Sequence, residues 1–200
     1  QLVDTRTTLI ESELEKKKSE LAFLRSQINP HFLYNTLESI KGIALVRGVP
    51  EIKEIAGSLG LILRYSIKGA DIVALRDEVK IVESYVHIQQ VRFKDRFDVE
   101  YDFTDAAQSC PIPRMVFQPL VENAVYHGIE PKVDKAHLRL RGYMNEDGGL
   151  VVIVRDDGLG IEPERLGQLK EALKTARVNA SMNKTEEYSG DGIGLANVTN

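Results

Sequence analysis

The sequence predicts an α+β chain: a helical hairpin built to close a dimeric four-helix bundle, followed by an α/β sandwich. Two observations predict it. Apolar residues at three-and-four spacing run through 27–67, interrupted by one turn. From residue 96 the period changes, and short alternating strands mix with an apolar helix and glycine clusters.

Composition narrows the field. Two hundred residues allow one or two domains with a sizeable core. The net charge of −4 offers no basic excess to neutralise phosphates, which argues against nucleic acid as a main partner. The single cysteine, Cys110, rules out an internal disulfide and fits a reducing compartment. No apolar run approaches the ~20 residues of a membrane span, and no signal peptide is present. The chain opens in mid-helix and stops at Asn200 directly after a glycine motif. Both ends read as cut from something longer, with the second unit truncated at its C-terminus.

In order, residues 1–26 read as a charged helix. Leu14, Leu21 and Ile28 recur every seven residues and Leu24 takes the second apolar position, the pattern of a thin parallel coiled coil for signalling. Leu2 and Leu9 fall out of frame, which predicts a stutter. Residues 27–46 thicken the apolar stripe with Phe32, Leu33, Leu37, Ile40 and Ala44. Pro30 lies inside this pattern, has no N–H to offer Ser26, and predicts a kink. Arg47-Gly48-Val49-Pro50 is a turn, and Pro50 starts a second helix carrying Ile52, Ile55, Leu59, Leu63 and Ile67. Alone, such a hairpin exposes much apolar surface; two copies in a four-helix bundle cover it.

Residues 69–71 break the pattern, and a connecting helix follows at about 77–92. Alternation predicts a strand at 96–103. Pro111 and Pro113 introduce an apolar helix at 115–126. A hairpin follows, 137–144 and 150–154, around Asn145-Glu146-Asp147-Gly148-Gly149. Residues 162–174 read as helix, and polar 176–187 as part of a mobile lid. The domains are thus 1–26, 27–92 and 93–200.

The chemistry centres on His31, continuing the seam of Leu24 with Pro30 turning it outward. Neutral imidazole is a nucleophile at pH 7. Asn35 at i+4 or Gln27 at i−4 can orient the ring. No acid adjoins it, since Phe32 is next and Glu38 is roughly 10 Å along the helix at ~1.5 Å per residue, so no general base is assigned. His87, His127 and His137 are weaker candidates as acceptor.

Three elements suggest a nucleotide. Asn123 sits on an apolar helix, where a carboxamide oxygen suits Mg²⁺ already carrying triphosphate oxygens. Asp156 ends an apolar strand and opens Asp-x-Gly-x-Gly with Gly158 and Gly160, a carboxylate placed to accept from an adenine amino group. Gly190, Gly192 and Gly194 open a helical stretch, the arrangement of an anion site. That cluster follows no strand, so a Rossmann reading fails. Each element alone is weak: a structural amide, a turn after an edge strand and an ordinary glycine loop are the plainer readings.

Together they resemble the sensor histidine kinases of the LytS/YesM type, within the GHKL group of ATPases and kinases that includes Hsp90 and MutL. The resemblance covers residues 20–200. Gln27-Ile28-Asn29-Pro30-His31-Phe32-Leu33-Tyr34-Asn35 is similar to the phosphoacceptor box, and Tyr85-Val86-His87-Ile88-Gln89-Gln90-Val91-Arg92-Phe93 to the connecting helix. Gln118-Pro119-Leu120-Val121-Glu122-Asn123-Ala124 resembles the N box, with His127 inside the same ATP site, and the glycine motifs resemble the G1 and G2 boxes.

The resemblance implies a homodimer with His31 as phosphoacceptor and a GHKL (Bergerat) sandwich binding ATP and Mg²⁺. It further implies transfer to a response-regulator receiver aspartate, and an upstream membrane sensor that would make this the cytoplasmic part of an inner-membrane protein. Hydrolysis as in Hsp90 is disfavoured. Those proteins carry a catalytic Glu four residues before the magnesium Asn, where this chain has Pro119. The other alternative is an ATP-reading dimerisation module without kinase activity.

Overall fold

The computed structural model describes residues 16–17, 29–94 and 96–182, with side chains to residue 172. The heptad positions 14, 21, 24 and 28, Gln27 and the third glycine cluster lie outside the described residues. Among those described, no helix is long and apolar enough to cross a membrane.

The first helix, α1 (Pro30–Arg47), begins where a kink was expected. Asn29 is extended, with φ −73° and ψ 101°, and its Oδ1 accepts from the His31 N–H at 3.1 Å and the Phe32 N–H at 3.2 Å. Pro30 takes the first helical position, where a missing N–H costs nothing. The kink is therefore corrected: this proline starts the helix. Gly48, at φ 67°, ends it, with Val49 N–H reaching back to the Ala44 carbonyl at 2.9 Å. Pro50 opens α2 (Pro50–Ile67), which folds back on α1 as predicted.

A short strand, β1 (Ile72–Ala74), leads into α3 (Leu75–Phe93). The α3 helix works on two sides. Leu75, Val79, Val82 and Val86, spaced four, three and four, enter the main core. Glu78 and His87 meet α2, at Tyr65 (2.5 Å) and Glu54 (3.2 Å), so the two helices run antiparallel.

Strands β2 (Phe97–Phe103), β4 (Ala136–Met144) and β5 (Leu150–Asp156) form a sheet in the order β2-β4-β5, the first pair parallel and the second antiparallel. Ala136, Leu138 and Leu140 are buried, while the alternating His137, Arg139 and Arg141 are exposed. The core under the sheet joins Leu75, Phe97, Phe117, Val121, Leu138 and Leu140. Phe103 and Phe117 meet edge to face at 5.8 Å.

Three local differences from the sequence reading have simple causes. The β1 strand pairs antiparallel with β3 (Pro111–Pro113), and α4 (Asp105–Gln108), capped by Thr104, fills the connection; pieces this short carry no periodicity. The apolar helix starts later than residue 115, because Met115 adopts φ 64°; it is α5 (Phe117–Asn123), continued by a π-helical turn (Ala124–Ile129). The expected lid loop is helical as far as Met182 in α6 (Pro163–Met182), since no glycine or proline falls between 168 and 189 to stop it.

The ends of β4 and β5 are clasped by Asp157. It accepts from the His137 backbone N–H (2.7 Å), and its other oxygen lies 3.0 Å from the His137 imidazole; Lys132 is 3.2 Å away. The His137 backbone bond, then its imidazole and Lys132, hold this carboxyl far below its ordinary value of 3.8. A depressed carboxylate contributes stability in full above its unfolded pKa and loses it as pH falls toward the folded one. Asp157→Asn should therefore be less stable than the parent at neutral pH. The gap should narrow progressively as pH falls below about 5. Chemical denaturation across that range checks it; a gap constant with pH would refute the clasp.

Candidate functional site

His31 occupies the second position of α1 and is exposed. The Asn35 carboxamide nitrogen lies 3.3 Å from its Nδ1 and 3.5 Å from its Nε2, so the amide lies across the ring one turn away. In this placement the NH₂ donates to the imidazole. Turning the carboxamide over would present Oδ1 to an Nδ1–H and leave the Nε2 lone pair free. The Arg64 guanidinium lies over the Tyr34 ring at 5.7 Å, joining the start of α1 to the end of α2. His87 is paired with Glu54, and His137 with Asp157.

The second group of residues is assembled from two elements. Asn123 is the last residue of α5, half-buried, and the π turn follows it directly. The wider turn is closed by the Glu130 N–H on the Val125 carbonyl at 2.8 Å. Single π turns inside α-helices concentrate at functional sites. This one leaves Tyr126 and His127 exposed, stacked edge to face at 4.9 Å, and buries Gly128.

Asp156 ends β5 beside it. Its Oδ1 accepts from the Gly158 N–H at 3.0 Å, and the Leu159 N–H bonds the Gly128 carbonyl at 3.1 Å. Asp156 Oδ2 has no protein donor among the described residues. A Cβ on Gly158 would strike the Gly128 backbone, and one on Gly128 would strike the Asp156 carboxylate. Gly160 adopts φ 71°, the left-handed conformation that glycine permits. Asn123, His127, Asp156, Gly158 and Gly160 thus belong to two segments stapled together at Gly128. A shallow depression of about 370 Å³ on the sheet surface shares only Asp156 with this group.

Two family matches cover most of the chain. The histidine kinase family matches residues 19–97, and the histidine kinase-, DNA gyrase B- and HSP90-like ATPases match 111–200. Sensor histidine kinase YesM of Bacillus subtilis is 36% identical over 190 residues, covering 94% of this chain and 30% of that protein.

The chain belongs to the sensor histidine kinases of the LytS/YesM type.

Sensor histidine kinase YpdA of Escherichia coli is 35% identical over 205 residues, 99% of this chain and 33% of that protein. Sensor protein LytS of Bacillus cereus is 31% identical over 173 residues, 84% and 29% respectively. The chain spans about a third of the length of these curated relatives.

Within this family the sequence reading passes over Gly128, although a glycine ending an apolar helix was a usable signal. The residues present are compatible with a nucleotide: one Asp156 carboxylate oxygen, beside the glycine contact, has no protein donor among the described residues. They do not form a metal site on their own, since no cluster of three His, Cys, Asp or Glu side chains occurs among the described residues. A Mg²⁺ at Asn123 would need oxygens from the triphosphate.

Gly158→Ala should lower the unfolding midpoint and weaken nucleotide binding, because backbone cannot swing away from the new methyl as a side chain can. Gly167→Ala, on exposed α6 with open space around it, should instead gain roughly 0.5–1 kcal/mol. Thermal melts with and without ATP check both; a neutral Gly158→Ala would refute the stapled contact.

Proposed function

We propose that this chain is the phosphotransfer and ATP-binding part of a two-component sensor histidine kinase. It takes the γ-phosphoryl group of ATP·Mg²⁺ onto His31 and passes it to a response-regulator aspartate. The observation that carries this reading is an exposed imidazole at a capped helix start, with a carboxamide across it, in a chain that also builds the Asp156–Gly128–Gly158 contact.

ATP supplies the phosphoryl group and, with Mg²⁺, the means of neutralising charge on it. The chain's residues position the reactants. Asp156 Oδ2 accepts from the adenine amino group, Asn123 and His127 lie toward the phosphates, and Gly160 shapes the loop. Gly190, Gly192 and Gly194 would hold the phosphates. His31 Nε2 forms the N–P bond as the bond from γ-phosphorus to the ADP oxygen breaks, while Nδ1 keeps its proton, donated to Asn35 Oδ1. Hydrolysis instead of transfer is disfavoured: Pro119 occupies the position of a hydrolytic Glu, and Glu122 accepts from Gln118 at 2.7 Å.

The working form is a homodimer. Phe32 and Ile43 on α1 are 64% and 63% exposed, and Ile52 and Leu59 on α2 are also open, surface that a second hairpin would cover. In the full-length protein this part would be cytoplasmic and would answer to a membrane-bound sensor.

Two measurements test the reading. In the full-length protein, γ-labelled ATP should leave an acid-labile, base-stable label that His31→Gln abolishes; equal labelling of the variant would remove His31 as acceptor. Asn123→Ala should weaken nucleotide binding only when Mg²⁺ is present, whereas Asp156→Ala should weaken it with or without metal. Titrations of ATP in Mg²⁺ and in EDTA separate them, and the same loss for both variants in both buffers would undo the division.

A further inference from the structure

The carboxylate of Glu78 has no role in the chemistry above, yet its residue is only 1% exposed. It faces three donors. Oε1 accepts from the Tyr65 hydroxyl at 2.5 Å and the Met115 N–H at 2.8 Å; Oε2 accepts from the Phe117 N–H at 3.0 Å. A carboxylate accepts on both oxygens, which a carboxamide cannot, so this arrangement suits Glu and not Gln. The three donors come from different places. Tyr65 is in the last turn of α2. Met115 lies just before α5 and Phe117 is its first residue; this is the helix that ends in Asn123.

A second set of contacts joins the same two segments. The Arg114 guanidinium donates to the Tyr65 carbonyl at 2.7 Å, and the Arg114 N–H bonds the Asp71 carbonyl at 2.8 Å. Met115 is held at φ 64°, an uncommon conformation for a residue with a side chain, and Glu78 accepts the N–H of that residue. The end of α2 is also where the histidine sits in the hairpin. Arg64 lies over Tyr34, and His31 is one turn before Tyr34.

We propose that Glu78 is a positioning residue: it registers the histidine end of the hairpin, through Tyr65, against the segment that opens the Asn123 helix. The proposal rests on the phosphoryl-transfer reading of His31 and adds the device that fixes the relative placement of acceptor and nucleotide. Transfer depends steeply on such placement, because the protein contributes mainly positioning and charge.

Tyr65→Phe is the decisive variant. It removes only the hairpin's hold on Glu78 and leaves both backbone donors satisfied, so the fold and the nucleotide site stay intact. In the full-length protein at saturating ATP·Mg²⁺, labelling of His31 should slow roughly tenfold, the scale of one lost hydrogen bond to a charged group. Nucleotide affinity should be unchanged, and amide exchange at Met115 and Phe117 should stay slow. Glu78→Gln should slow labelling and also speed exchange at those two amides. The double variant should be no slower than Glu78→Gln alone, because both act on one tie. A folded Tyr65→Phe that labels at the parental rate, or rate losses that add in the double variant, would overturn the tie and leave the kinase reading standing. A parent that takes no label on His31 would overturn both.

Discussion

The arrangement depends on α3 being covered on two sides. Its Leu75, Val79, Val82 and Val86 stripe is part of the core beneath the sheet, while Glu78 and His87 face α2. A helix covered on one face only could serve either unit; this one is shared, so the hairpin and the sandwich are packed against one plank. Burying Leu or Val side chains gains ~1.5–3 kcal/mol each, and four of them fix the helix to the sheet side. The α2 side carries polar ties as well. Exposed pairs such as His87–Glu54 are worth ~0–1 kcal/mol, so among these polar ties the buried Glu78 is the one that fixes α2 on α3.

The same division governs the side proposed to bind nucleotide. Asn123 and Asp156 come from a helix and a strand that are far apart in sequence. What brings them together is a backbone contact without side chains, Gly128 against Gly158. The π turn between Asn123 and Ile129 adds a residue to the helix and so directs Gly128 toward β5, where the Leu159 N–H meets its carbonyl. Glycine at both positions follows from the close approach, and any side chain there would push the Asp156 loop away from the helix.

Much of this was legible in the sequence, for identifiable reasons. The hairpin was readable because 18-residue helices give several turns of periodicity, and Gly48 and Pro50 punctuate them. Strands β2, β4 and β5 were readable from alternation, and Asp156 from its place after an apolar run. The pairing of β1 with β3 was not readable, since three residues have no period. Pro30 was misread because a proline inside an apolar pattern can either bend a helix or begin one. Only the preceding residue decides, and Asn29 is a strong cap. Glu78 was silent for a different reason. A charged residue in a helix normally faces water, and its three donors come from segments that sequence does not show to be neighbours.

The start of α1 carries a further consequence for His31. Helix N-termini commonly hold anions through free N–H groups. Here those groups are already engaged. Pro30 has none, Asn29 Oδ1 takes those of His31 and Phe32, and the Asn29 carbonyl takes that of Leu33 at 3.3 Å. A phosphoryl group on Nε2 would feel the favourable end of the helix dipole, worth ~0.3–1 kcal/mol at an exposed site, but would meet no free backbone donor in that turn. A group held by several amide hydrogen bonds would be slow to leave. On the proposed reading of His31, the cap would leave the histidine a carrier from which the phosphoryl group can pass on, and would do so with the residue pair, Asn29 and Pro30, that also sets where the helix begins.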